Sequence, residues 1–242
     1  MDRRIVAVGG LIVLLSLSGC IGFITGEPLE FESSPAAVSN SSAAETGFTL
    51  QQYNGTQLNQ SIDVAGVERE VRISFHQAVY TQQLPAELTD GEINESTLSE
   101  SQLNETSPSD DSLNESLKPA AVTIVSLPDA QFFGESVNPL VRLPNEQLIE
   151  RFGGNSQGSL ENLEKDGERS VELLGSETTV TEFNATAESE NGSTPMRVSV
   201  TKTAHEGDVV IVVAIDPNGS GDDTESVDEF IAEIEHPTEA PN

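Results

Sequence analysis

The sequence predicts an α+β fold, a mainly antiparallel sheet with flanking helices arranged as an α-β-α sandwich. Three stretches carry that expectation. In "EREVRISFHQAVYTQ" the apolar Val71, Ile73, Phe75 and Val79 alternate with Arg72, Ser74, His76 and Tyr80, the period-two pattern of a half-buried strand. In "MRVSVTKTAHEGDVVIVVAIDP" an alternating strand turns at His205-Glu206-Gly207-Asp208 into the uninterrupted apolar run Val209 to Ile215. A strand without a polar face must be central and covered on both sides. The cover is sought in "DDTESVDEFIAEIEH", where Val227, Phe230, Ile231 and Ile234 keep the i, i+3, i+4, i+7 spacing of an amphipathic helix. Asp222 and Glu225 can form a capping box at its start and Pro237 ends it.

Between these landmarks, "AAVTIVSLP" (Ala120 to Pro128) reads as a short apolar strand. "LPNEQLIERFGG" reads as a helix of two to three turns with Asn145 as its cap and Leu148, Ile149 and Phe152 on one face. "GNSQGSLENLEKDGE" is expected as a polar connector, and "SVELLGSETTVTEFNATA" as one or two strands broken near Gly175.

The N-terminus has the layout of an export signal over residues 1–19. Arg3 and Arg4 precede an apolar run from Ile5 to Leu17, which ends in Leu17-Ser18-Gly19-Cys20. That run of 13 residues is shorter than the roughly 20 a membrane-spanning helix needs. Small residues before the chain's single cysteine form a lipobox, so Cys20 is expected to carry a lipid after cleavage and to tie the protein to the membrane. Sec and Tat export both remain open. Residues 20–46, rich in Ser, Ala, Gly and Pro, are expected as a flexible spacer, residues 47–237 as one domain, and 238–242 as a tail.

Cleavage leaves no second cysteine, which excludes disulfides and thiol chemistry from the mature domain. Forty-one acidic residues face 11 basic ones, for a formal net charge of -30, and only Lys118, Lys165 and Lys202 are lysines. Such a surface repels phosphate backbones, so nucleic acid is not an expected partner. Abundant carboxylates with few lysines resemble halophilic secreted proteins, because at molar salt the Debye length falls to about 3 Å and self-repulsion is screened.

The stretch from Gly91 to Pro119 repeats itself with Ile93-Asn94-Glu95-Ser96, Leu103-Asn104-Glu105-Thr106 and Leu113-Asn114-Glu115-Ser116. One aliphatic residue per copy cannot build a core, so residues 89–118 are expected as a solvated, disordered insert. Each copy contains Asn-x-Ser/Thr, and six more such sequons lie at Asn40, Asn54, Asn59, Asn184, Asn191 and Asn218. With 14 asparagines, chance predicts about two to three sequons and the chain has nine, so all nine are candidate glycosylation sites. At Asn184 the acceptor and Thr186 share one strand face, opposite Phe183 and Ala185.

Other motifs are weak. Gly154-Asn155-Ser156-Gln157-Gly158 matches a nucleophile elbow but follows a helix where that motif needs a strand. Asp216, Asn218, Ser220 and Asp222 begin like a calcium loop, but position 12 is Val227 and lacks the bidentate carboxylate, so no metal site is assigned. His76, His205 and His236 share no ligand spacing and read as surface histidines. No motif calls for a cofactor.

The lipobox, the strings "VSLP" and "NPL", and the closing hairpin, helix and "IEHP" resemble an uncharacterised family of haloarchaeal secreted lipoproteins. That resemblance implies a lipid-anchored place on the outer face of the cell membrane and supplies no activity. The closing hairpin and helix also look like PsbP/Mog1-type sandwiches, a likeness of fold alone. The function expected is a non-enzymatic binding or envelope-accessory lipoprotein in a high-salt environment. A carrier of a small apolar ligand or lipid, and a hydrolase, are the alternatives.

Overall fold

The computed structural model describes residues 28–64, 67–82, 119–132, 135–136, 138–153, 159–189, 192–217 and 221–241. Its strands are β1 (Leu29–Glu32), β2 (Phe48–Val64), β3 (Val67–Gln82), β4 (Ala121–Pro128), β5 (Gln131–Phe132), β6 (Glu135–Ser136), β7 (Ser159–Leu173), β8 (Ser176–Ser189), β9 (Gly192–His205) and β10 (Asp208–Asp216). The described helices are α1 (Asn40–Glu45), α2 (Asn145–Phe152) and α3 (Gly221–Ala232), with a 3-10 turn over Pro139–Arg142.

Eight of these strands form one sheet, in the order β1-β3-β4-β10-β9-β8-β7 with β2 paired to β3. β1 pairs with Val71–Ser74 and β4 with His76–Thr81, so the two follow one another along one flank of β3 while β2 runs along the other. Every pairing in this sheet is antiparallel except β1 with β3, which is parallel.

The apolar run does occupy the interior of the sheet. β10 is buried along its whole length between β4 and β9. Val210, Val212 and Ala214 face one core with Phe48, Tyr80, Val227, Phe230 and Ile231, whereas Ile211, Val213 and Ile215 face a second with Leu148, Ile149, Phe152 and Phe183. The turn into β10 is a two-residue hairpin with Glu206 at φ 50° and Gly207 at φ 91°, the left-handed pair that keeps the strand twist continuous. α2 ends against β10: a Cβ on Gly153 would stand 2.7 Å from the Ile149 carbonyl oxygen and 3.3 Å from Ile215 Cδ1.

The architecture corrects the expected helix-flanked α-β-α sandwich. The fold is mostly β, one large mixed sheet, and its helices are few and short. The sequence reading misjudged two regions. From Ser159 on, the "polar connector" belongs to β7, a border strand whose outward side chains meet water and so carry no apolar signature. Residues 20–46 are not spacer throughout, since the described fold begins at β1, and Ala36, Ala37, Val38 and Ala43 are buried. Small residues in an irregular path cover the sheet there, and neither period two nor 3.6 marks such a cover. Asn145 is likewise not the cap of α2. Pro144 precedes the helix, and Asn145 Nδ2 donates to Thr181 Oγ1 of β8 instead. The insert at 89–118 and Gly154 to Gly158 lie outside the described residues.

Tyr80 shows what the N-terminal cover does. Alternation placed it on the solvent face of β3, yet it is fully buried. Its hydroxyl donates to the Val38 carbonyl at 2.9 Å and accepts from the Val38 N–H at 3.0 Å, and its ring meets Phe230 edge-on at 4.9 Å. Burial raises the phenol above its ordinary value of 10.0, against the opposing bond to Val38. Removing the hydroxyl strands two buried backbone groups, so Tyr80→Phe is expected to cost about 1–3 kcal/mol in denaturant unfolding at high salt. The folded chain holds the phenolic proton more tightly than the unfolded one. Its contribution is therefore whole below about pH 10 and declines as pH rises further. Unfolding curves taken across that range should fall less steeply for Tyr80→Phe than for the parent; equal slopes would rule the linkage out.

Candidate functional site

The hairpin that carries the apolar strand also assembles a buried polar group. His205 closes β9 and Asp208 opens β10, and their register across the two-residue turn makes them partners. His236 arrives from beyond α3. The adjacent backbone is fixed by a bridge in which Ala37 N–H donates to Glu235 O at 3.1 Å and Glu235 N–H returns to Ala37 O at 2.9 Å. Thr238 N–H extends this clasp to the Pro35 carbonyl at 3.1 Å.

Within the clasp, His236 Nε2 lies 3.0 Å from Asp208 Oδ2, and that same oxygen accepts the Ser34 backbone N–H at 2.8 Å. On its other side His236 Nδ1 meets His205 Nδ1 at 3.1 Å, with the two rings edge to face. With neutral rings, one assignment satisfies every contact: His236 donates from Nε2 to the carboxylate, and His205 donates from Nδ1 to the remaining His236 nitrogen. An imidazole oriented by a carboxylate is the arrangement of a general base. Here, however, the His236 side chain is only 1% exposed and both its nitrogens are engaged, so no substrate proton can reach it. The group instead joins the N-terminal segment, the β9–β10 hairpin and the C-terminal segment through one carboxylate.

A second polar group lies where α3 meets the sheet. Arg169 of β7 contacts Glu182 of β8 at 3.2 Å and also pairs with Asp228 of α3. Burial raises the Asp228 carboxyl above its ordinary range; the charge and hydrogen bond of Arg169 oppose that rise, and Glu182 adds to it. Desolvation is the largest of these effects, and Arg169 holds α3 to the sheet against it. The third histidine, His76, is half-buried and shares a 2.8 Å hydrogen bond between its Nδ1 and the Tyr53 hydroxyl, whose own pKa burial raises.

These contacts revise the expectation of three separate surface histidines. Two of them meet, and the signal that could have found the pair was the hairpin register of His205 with Asp208. The partner His236 had no local signal, because only the chain path brings it there. Among the described residues no group of three or more His, Cys, Asp or Glu side chains is arranged to hold a metal ion, and no helix is long and apolar enough to cross a membrane. Of the calcium-loop residues, Asp216 ends β10 and Asp222 lies in the first turn of α3, whereas Asn218 and Ser220 lie outside the described residues. Cys20, Asn94, Asn104, Asn114 and Asn191 also lie outside them. The other four sequon asparagines, Asn40, Asn54, Asn59 and Asn184, are all exposed, with Phe183 and Ala185 buried beneath the last.

A family profile described as a domain of unknown function (DUF6517) matches residues 35–235. It starts inside the N-terminal cover and ends at the residue that bridges Ala37. No curated protein matches the chain.

Asp208→Ala leaves the His236 Nε2–H and the Ser34 N–H without their acceptor. We expect a loss of about 1–3 kcal/mol in denaturant unfolding, comparable to that of His236→Ala. The double variant should show a coupling energy of about 0.5–3 kcal/mol, whereas strict additivity would mean that the contact contributes nothing.

Proposed function

The chain belongs to the DUF6517 family, whose function is unknown, and on that footing we propose that it is a lipid-anchored protein of the outer membrane face, a binding or envelope-accessory module rather than an enzyme, working at high salt. The observation that carries this reading is Leu17-Ser18-Gly19-Cys20, with its lone cysteine where a lipobox places it behind a basic and then apolar N-terminus. The early start of the fold sharpens it. Eight residues lie between Cys20 and Leu29, so even fully extended the nine steps from one to the other reach only about 30 Å, and the domain rides close to the bilayer.

The net charge of -30 supports the high-salt part, because an acidic domain held beside anionic headgroups is repelled unless salt screens the field. The exposed sequons suit a surface that meets a glycosylation machinery after export. The non-enzymatic part is supported by the use of the carboxylate–imidazole pair inside the clasp, where it has no open side to offer a substrate.

Two measurements test the reading. Cys20→Ser should abolish lipid attachment and either release the protein to the medium or leave an unprocessed precursor; unchanged mass together with unchanged membrane retention would contradict it. Thermal unfolding in KCl should give a midpoint that is lower below about 0.5 M than at 2 M, because carboxylate repulsion is screened only at the higher concentration. A midpoint indifferent to salt would remove the halophilic component.

A further inference from the structure

The two borders of the sheet are guarded unequally. A border strand exposes unpaired backbone groups to any passing strand, and charged residues along it are a common defence. β7 has that defence, with Glu161, Glu164, Lys165, Asp166, Glu168, Arg169 and Glu172 inside one strand. β2 has none. From Phe48 to Ile62 there is no Asp, Glu, Lys, Arg or Pro, although charged residues make up 21% of the chain and about three would be expected there at that composition. Most of its side chains from Gln51 to Ser61 are exposed, and among the described residues its strand partner is β3. In a chain of net charge -30, two copies meet fewer like charges along this border than along β7.

The same strand carries two sequons, Asn54-Gly55-Thr56 and Asn59-Gln60-Ser61. Both asparagines are exposed. They are five residues apart with no bulge between them, so they project from opposite faces of the sheet. The packing fixes the sides: Tyr53 lies against the core that contains α3, and Leu58 against the core that contains α2. Asn54 alternates with Tyr53 and therefore lies on the α2 side, and Asn59 alternates with Leu58 and lies on the α3 side.

We propose that Asn54 and Asn59 are N-glycosylated and that their two glycans, one on each face, guard the β2 border against strand addition by a second copy of the chain. The inference rests on the exported, glycosylated surface proposed above. The donor class is a lipid-linked oligosaccharide phosphate. The asparagine Nδ2 forms a bond to the anomeric carbon, the bond from that carbon to the lipid phosphate oxygen breaks, and the amide proton is given up as the lipid phosphate leaves. No electrons are exchanged, and the Thr56 or Ser61 hydroxyl completes the sequon that the transferase reads.

The test uses the full-length protein purified from its source cells at native salt, analysed by glycopeptide mass spectrometry and by light scattering after size exclusion. The parent is expected to carry glycan at both asparagines and to run as one copy. Asn54→Gln with Asn59→Gln, and separately Thr56→Ala with Ser61→Ala, should each lose both glycans and about double the apparent mass. Asn184→Gln should stay single, and adding Gln52→Lys and Gln57→Lys to the first pair should return it to one copy. Asn54 and Asn59 found bare overturns the inference, whether or not Asn184 is occupied. Glycans present at both sites with variants that remain single overturns the guarding role. Failure of the envelope reading itself is seen separately, as an N-terminal peptide whose Cys20 carries no lipid in the mass spectrum of the same digest.

Discussion

A strand with no polar face sets the terms for the rest of this molecule. Each of Val209 to Ile215 is buried, and fully burying an aliphatic side chain of that size contributes about 1.5–3 kcal/mol relative to leaving it in water. Because successive side chains point to opposite faces, that gain is realised only if both faces are covered. Two different covers result. On one face α3 and the stretch from Ala36 to Phe48 close over Val210, Val212 and Ala214; on the other α2 and the turn at Leu140 close over Ile211, Val213 and Ile215. Long antiparallel strands then widen the sheet well beyond what such short helices can shield, which makes the protein mostly β.

The first cover needs its ends held, because an irregular segment of alanines and serines has little apolar area of its own. Backbone bonds between Ala37 and Glu235, the Tyr80 hydroxyl on Val38, and Asp208 on Ser34 do this at three separate points. The buried Asp208–His236 contact belongs to that job. A carboxylate enclosed by protein must be matched by donors, and here a backbone N–H and an imidazole N–H supply them. A pair that would be reactive at the mouth of a cleft becomes a joint when both its ends are occupied. The family match, over residues 35–235, takes in Ala37, Val38, Tyr80, Asp208 and Glu235 of this closure and stops one residue short of Ser34 and of His236.

Charge acts at a longer range. The described ion pairs include exposed ones such as Arg72 with Glu30 and Glu70, which add little in water. The partly buried Arg169 links α3 to β7 and β8 against the desolvation of Asp228. The carboxylate excess is spread unevenly over the sheet: β7 carries five acidic residues, whereas β2 carries only Asp63.

By itself the sequence determined the elements whose own periodicity encodes their surroundings. The β9–β10 hairpin, the burial of Val209 to Ile215, the apolar faces of α2 and α3, and the outward Asn184 were all legible, because alternation and 3.6-residue spacing report directly which side meets water. The apolar N-terminal run, Cys20, the nine sequons and the charge excess are likewise properties of the string. Only the tertiary structure decided that Tyr80 is inside, that residues 29–46 belong to the fold, that "SLENLEKDGE" is a strand, and that His205, Asp208 and His236 meet. Apart from β7, which pairs with the next strand, each of these depends on a partner that arrives from far along the chain. Tyr80 is covered by a segment 42 residues earlier, and His236 reaches Asp208 from 28 residues later. Local pattern records which face of a strand is apolar, but not which distant segment will come to lie on the other face.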